Sequence, residues 1–127
     1  MSNVELIKKF YLAFKNKDKD VLLDCCDEKI QWQLSDGMPN GGTYLGKQAI
    51  FDEYFPKMLS NFKEFNAVPE QFTDLKYYVM VTGKYSGVSI NNKSFEVSFS
   101  HVYNIQNNKI IQFRQFTDTQ KIQDSLN

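Results

Sequence analysis

From about Phe65 onward the hydrophobic period of this chain settles to two, and that change constrains the architecture more than any other feature. Before it, Val4, Ile7, Phe10, Tyr11 and Phe14 recur at helical spacing and form one apolar stripe. After it, apolar and polar residues alternate through four consecutive segments. These lie near Phe65–Thr73, Tyr77–Tyr85, Ser94–Ile105 and Lys109–Thr117, each of strand length. Asp74-Leu75-Lys76, Ser89-Ile90-Asn91-Asn92 and Gln106-Asn107-Asn108-Lys109 are turns by composition. Strands joined by short turns pair antiparallel, and a helical start ahead of them gives an α+β fold. A strongly twisted sheet curls. The N-terminal and central helices then cover its concave side, which predicts an open-ended cone. A chain of 127 residues forms one domain, 1–127, with a core of useful size.

The first half can be read in more detail. Ser2 or Asn3 caps the first helix. Asn16-Lys17-Asp18 breaks it, and Asp18 caps a short second helix presenting Val21, Leu22, Cys25 and Cys26. Ile30, Trp32 and Leu34 alternate with Gln31, Gln33 and Ser35, which marks a strand with one apolar face. Asp36 to Thr43 holds three glycines and a proline and reads as loop. A third helix is expected from about Lys47 to about Phe62, with a kink at Pro56, which lacks a backbone donor. A short helix after Thr117 closes the chain.

Charge and motif content exclude several functions. Lysine plus arginine and aspartate plus glutamate both number 15, so the basic excess of a nucleic-acid binder is missing. No apolar run is long enough to span a membrane, and Met1-Ser2-Asn3-Val4-Glu5 lacks a signal-peptide core. There is no Walker-type or dinucleotide-binding glycine pattern. One histidine is too few for a metal site. Cys25 and Cys26 are expected on one helix, where neighbours point about 100° apart. They read as free thiols of a reducing, cytoplasmic compartment. No cofactor and no nucleic-acid or membrane partner is expected.

What the composition does offer is aromatic rings: 11 phenylalanines and 7 tyrosines, enough to line a pocket as well as a core. His101, the only histidine, shares strand parity with Phe95, Val97, Phe99, Tyr103 and Ile105, so it points to core or pocket. Asp118 lies across the hairpin and has two readings. It caps the last helix, or it is a desolvated carboxylate at the cone mouth, beside Trp32, Phe62 and Phe116, that moves protons near neutral pH. Arg114 shares parity with Phe116 and Asp118, and would pair with Asp118, hold an anionic ligand group or make a surface or interface salt bridge. Trp32 is core or a stacking wall. Tyr44 is a loop anchor or a lid, with Met38 and Leu45 beside it. Met58 and Phe62, with Phe55 and Leu59, are floor or plain core.

The chain resembles the SnoaL-like polyketide cyclase family, within the superfamily of nuclear transport factor 2 and ketosteroid isomerase. The resemblance rests on Phe10-Tyr11-Leu12-Ala13-Phe14 with Asp18, on Ile30-Gln31-Trp32, and on Gly42-Thr43-Tyr44-Leu45-Gly46 with Ala49-Ile50. His101 and the run from Lys109 to Asp118 complete it. It implies a cystatin-like cone with an internal hydrophobic pocket, and a homodimer built on the outer face of the sheet. It implies no single reaction. By the resemblance, Asp118 falls on the cyclases' acid/base aspartate and His101 on their pocket histidine. The steroid isomerase groups do not transfer: their positions fall on Phe10, on Gln33 or Leu34, and on Ser100. The limonene epoxide hydrolase set falls on Lys84 and Ser86 and is incomplete.

The expectation is therefore a pocket for a small apolar or amphipathic ligand. Asp118 and His101 would supply cofactor-free acid/base chemistry of isomerase, cyclase or hydratase type. Trp32, Tyr44, Met58, Phe62, Phe99, Arg114 and Phe116 would line the site. The rival expectation is a binding or dimerisation module of the same fold without turnover.

Overall fold

The computed structural model describes residues 1–127. Helix α1 (Asn3–Lys15) starts at Ser2, whose hydroxyl accepts the Glu5 N–H at 3.1 Å. Its stripe buries Leu6, Ile7, Phe10, Tyr11 and Ala13. Asp18 caps α2 (Lys19–Asp24) by accepting from Val21 N–H at 3.3 Å. Cys25 ends that helix and Cys26 already belongs to strand β1 (Cys26–Leu34). The expected two-cysteine helix thus stops two residues early, before Cys25.

β1 is longer than its apolar alternation suggests because its start is held by a neighbour. It runs parallel to the last strand, with Cys26 opposite Ile110 and Trp32 opposite Phe113. Part of the expected glycine loop is strand β2 (Gly42–Leu45), which pairs antiparallel with the end of β1. Gly42 takes φ +116 there, a backbone region that favours glycine.

The third helix is shorter than expected and changes winding. A π-helical segment, π1 (Ala49–Tyr54), runs into α3 (Phe55–Leu59). Phe55 N–H bonds to the Ile50 carbonyl, five residues back. Pro56 has no N–H to give the carbonyl four residues before it, and the wider turn accommodates that defect without breaking the helix. Phe62 lies beyond the helix, at the start of β3.

β3 (Phe62–Asp74), β4 (Tyr78–Ser89), β5 (Ser94–Gln106) and β6 (Lys109–Thr117) pair antiparallel in sequence order. Asn107 and Asn108, both at positive φ, make the two-residue β5–β6 turn. The six strands form one curved, unclosed sheet in the order β2-β1-β6-β5-β4-β3. Register shifts break the β3–β4 and β5–β6 ladders, and such bulges bend strands. Gly83 sits opposite Pro69, where a Cβ would lie 2.2 Å from the Val68 carbonyl oxygen. The strands approach too closely there for any side chain. α4 (Thr119–Ser125) closes the chain. The inner face of the sheet and the buried faces of α1, π1 and α3 share one apolar core. No helix is long and apolar enough to cross a membrane.

Candidate functional site

Alternation along β5 turns Val97, Phe99, His101, Tyr103 and Ile105 inward, as the sequence pattern predicts. His101 is 4% exposed. Its ring stacks on Phe99 with centroids 4.0 Å apart and meets Phe113 edge-on at 4.8 Å. Burial drives its pKa from 6.5 down to about 3, because the imidazolium would lose its hydration. The ring is therefore neutral near pH 7 and carries one N–H.

Two tyrosines take both ring nitrogens. The Tyr11 hydroxyl, from α1, lies 2.6 Å from Nδ1. The Tyr85 hydroxyl, from β4, lies 2.5 Å from Nε2. Tyr103, two residues on from His101, donates to the Tyr11 hydroxyl at 2.9 Å. Gln115 Nε2, from β6, donates to the Tyr85 hydroxyl at 2.8 Å. Gln115 is 5% exposed and is itself pinned, its side-chain oxygen accepting the Ser35 N–H at 3.2 Å. Burial pushes the Tyr11, Tyr85 and Tyr103 hydroxyls upward in pKa, so all three stay protonated.

Three hydroxyls and one imidazole N–H must fill the Tyr103–Tyr11, Tyr11–His101 and His101–Tyr85 bonds, since the Gln115 bond uses an amide hydrogen. One hydroxyl hydrogen is left over. With the proton on Nε2 it belongs to Tyr85; with the proton on Nδ1 it belongs to Tyr11 or Tyr103. The imidazole tautomer thus decides which side of the ring offers a free donor.

All five residues line one internal cavity, together with Phe10, Phe14, Trp32, Leu34, Met38, Tyr54, Phe55, Met58, Phe65, Ala67 and Phe113. The space open to the centre of a water molecule is about 40 Å³, room for about three waters. Trp32 stacks on Phe113 at 3.9 Å and is 3% exposed, yet its indole Nε1 has no hydrogen-bond partner. The residues lining the cavity therefore include a tyrosine with a left-over hydroxyl hydrogen and Trp32 with a buried, unpaired N–H, and a buried donor without an acceptor is costly.

Tyr11, Phe14, Phe55, Phe65 and Ala67 also line a larger groove between α1, α2 and β3. By the same measure it holds about 990 Å³. These shared residues make the groove the outer continuation of the cavity.

The sequence-based site residues separate into two groups. His101, Trp32 and Met58 line the cavity. Phe99 does not line it but stacks under the His101 ring. Phe62 lies on β3 rather than on the third helix and lines the groove. Tyr44 is half-buried, packs on Tyr54 at 5.1 Å and donates to the Asn40 carbonyl at 2.7 Å, the geometry of a loop anchor.

Arg114, Phe116 and Asp118 go elsewhere. The β5–β6 register shift near Ile105 and Ile110 turns Ile110, Phe113 and Gln115 inward and leaves Arg114 and Phe116 outside. Phe116 is 46% exposed, with the Arg114 guanidinium 5.1 Å over its ring. Asp118 is exposed and caps α4, accepting the Gln120 N–H at 3.1 Å. The expected Asp118–His101 pairing and the desolvation of Asp118 by Phe116 are therefore not formed. Gln115 holds the inward place that parity had given to Arg114 and Phe116. Simple alternation cannot reveal that, because one extra residue in a strand reverses its faces. Tyr11, within the helical stripe, and Tyr103, on the His101 face, were legible as inward residues but not as ring partners.

No group of three or more His, Cys, Asp and Glu side chains is arranged to hold a metal ion. The two free thiols, Cys25 and Cys26, are buried outside the cavity lining.

Comparison with known proteins agrees with this geometry at the level of fold. An NTF2-like protein from Burkholderia thailandensis E264 has a TM-score of 0.94 at 25% identity, with 100% of this chain and 98% of that chain covered. TerC, co-crystallized with polyporic acid, has a TM-score of 0.91 at 22% identity, with 98% and 97% covered. A putative SnoaL-like polyketide cyclase from Jannaschia sp. CCS1 has a TM-score of 0.84 at 15% identity, with 98% and 90% covered. Among curated proteins, none matches the sequence. The model of the SnoaL-like domain matches residues 7–113. This chain, with its curved sheet and helix-covered interior, belongs to the SnoaL-like domain family.

Proposed function

We propose that this chain is a small-molecule pocket protein for a compact apolar ligand bearing a hydrogen-bond acceptor such as a carbonyl oxygen. One observation carries the reading. The side chains around an almost wholly apolar cavity carry two donors without acceptors, the buried Trp32 indole N–H and the left-over hydroxyl hydrogen of the tyrosine–histidine chain. A carbonyl oxygen placed at the tyrosine–histidine chain would satisfy the hydroxyl hydrogen, and rings packed on Trp32 or Phe113 would fill the rest. The test is a titration with simple aromatic ketones followed by Trp32 fluorescence. Binding should weaken about tenfold in Tyr85→Phe if His101 is protonated on Nε2, or in Tyr11→Phe or Tyr103→Phe if it is protonated on Nδ1, since a lost buried hydrogen bond costs about 1–2 kcal/mol. Equal affinity in wild type and all three variants would end the reading.

A second reading, cofactor-free proton transfer, is favoured by the contact of both His101 nitrogens with hydroxyls. Such a ring can accept a proton at one nitrogen while releasing one at the other, which suits keto–enol isomerisation or cyclisation of a carbonyl compound. In this reading Tyr11, His101 and Tyr85 do the work expected of Asp118. Deuterium exchange at the α-carbon of a bound ketone would report it. Exchange that persists in His101→Gln would reject it.

The exposed outer sheet face, where Phe116 and Arg114 sit side by side, supports a homodimer through that face. Sedimentation of wild type against Phe116→Glu tests it. Two free thiols favour a reducing, cytoplasmic setting.

A further inference from the structure

The pocket reading leaves a size problem. The inner cavity holds about 40 Å³, whereas organic ligands occupy sites of about 300 Å³ or more. A ligand anchored in the cavity must therefore extend past Tyr11, Phe14 and Phe65 into the groove of about 990 Å³. What lines that groove then defines the other end of the ligand.

The groove is strongly asymmetric in charge. Five lysines line it, Lys8, Lys15, Lys17, Lys19 and Lys63, against one acid, Glu64, in a chain of net charge zero. Lys19 is paired with Asp52 at 2.6 Å, and Lys63 is bound to the Asn92 side chain. Lys8, Lys15 and Lys17 take part in none of the four ion pairs. The Lys8 ammonium rests 5.3 Å over the Phe72 ring, which holds it at the groove wall. Aromatic walls below unpaired ammonium groups fit a molecule with an apolar body and an anionic end.

Resting on the pocket reading above, we propose that the groove is the outer half of the same site and that the chain takes small amphipathic organic anions. The apolar body enters the cavity, with an acceptor atom at the tyrosine–histidine chain. The anionic group stays at the mouth, among Lys8, Lys15 and Lys17. Lys8, Lys15 and Lys17 are exposed, so charge-assisted contacts there favour the anion over a neutral molecule of the same shape in a salt-dependent way.

Two fluorescent probes of matched bulk test this: anilinonaphthalenesulfonate, which is anionic, and N-phenylnaphthylamine, which is neutral. Wild type should bind the anion about tenfold more tightly at low salt, with the preference shrinking as ionic strength rises. In Lys8→Gln/Lys15→Gln/Lys17→Gln the ratio of the two affinities should fall to about one. Equal affinities in wild type, or an unchanged ratio in the triple variant, would overturn the anion proposal. Ala67→Trp, which blocks the passage between groove and cavity, separates the two readings. If the neutral probe binds wild type and is lost in Ala67→Trp while the anion has no advantage, the pocket stands and only the anion proposal falls. If neither probe binds wild type, both fall.

Discussion

The Tyr11 hydroxyl lies 2.6 Å from Nδ1 of His101 across 90 residues of sequence. This bond ties α1 to the middle of the sheet at the wall of the cavity. It also places a polar chain, Tyr103–Tyr11–His101–Tyr85–Gln115, inside an aromatic core. Such chains are costly when broken, because each member is buried away from water.

Tyr85→Phe should lower unfolding stability by about 1–3 kcal/mol. The change strips acceptors from Gln115 Nε2 and a partner from His101 Nε2 while keeping the ring packing. Urea denaturation measures it. A loss below about 0.5 kcal/mol would mean that water replaces the hydroxyl.

The His101 resonances should stay flat from pH 8 to pH 5, because the folded pKa is about 3. The unfolded chain titrates near 6.5. Between these values the unfolded state binds more protons, so stability is full above about pH 6.5 and falls as pH drops toward 3. The maximum loss from this one group is of order 5 kcal/mol. Proton NMR follows the ring directly, and a midpoint near 6.5 in the folded protein would contradict the burial argument.

Asp118→Ala should cost about 1 kcal/mol through loss of the α4 cap, whereas Asp118→Asn should cost little. Ketone binding should be the same in Asp118→Asn as in wild type. Abolished binding in that variant would return Asp118 to the site despite its exposed position.

Gly83→Ala should be among the most damaging single-methyl changes, by about 2–3 kcal/mol. Its new Cβ would meet the Val68 carbonyl oxygen at 2.2 Å and the tip of the Phe99 ring at 2.8 Å. Since Phe99 stacks on His101, the variant's ligand affinity should fall along with its melting temperature.

Cys25 and Cys26 should resist thiol reagents in the folded protein. Both are buried, and burial pushes the Cys26 thiol up to about 12, which leaves almost no thiolate near neutral pH. Modification by a disulfide exchange reagent should track unfolding in urea; rapid labelling in buffer would show an open path to them.

The sequence by itself determined the order of the elements other than β2, because helical and two-residue periods are local properties of a segment. It also determined the inward face of β5, where six alternating residues from Phe95 to Ile105 leave His101 no other side. The α1 stripe, the Asp18 cap and the Asn107-Asn108 turn were legible for the same reason. The parallel pairing that starts β1 at Cys26, the edge strand made from a glycine loop, and the π-turn before Pro56 depend on neighbours distant in sequence or on the continuing helix. Only the tertiary structure decided the site. A register shift in the β5–β6 ladder put Gln115 inside and left Arg114, Phe116 and Asp118 outside. Alternation carries no memory of a bulge, and a hydrogen bond spanning 90 residues leaves no periodic trace in the chain that makes it.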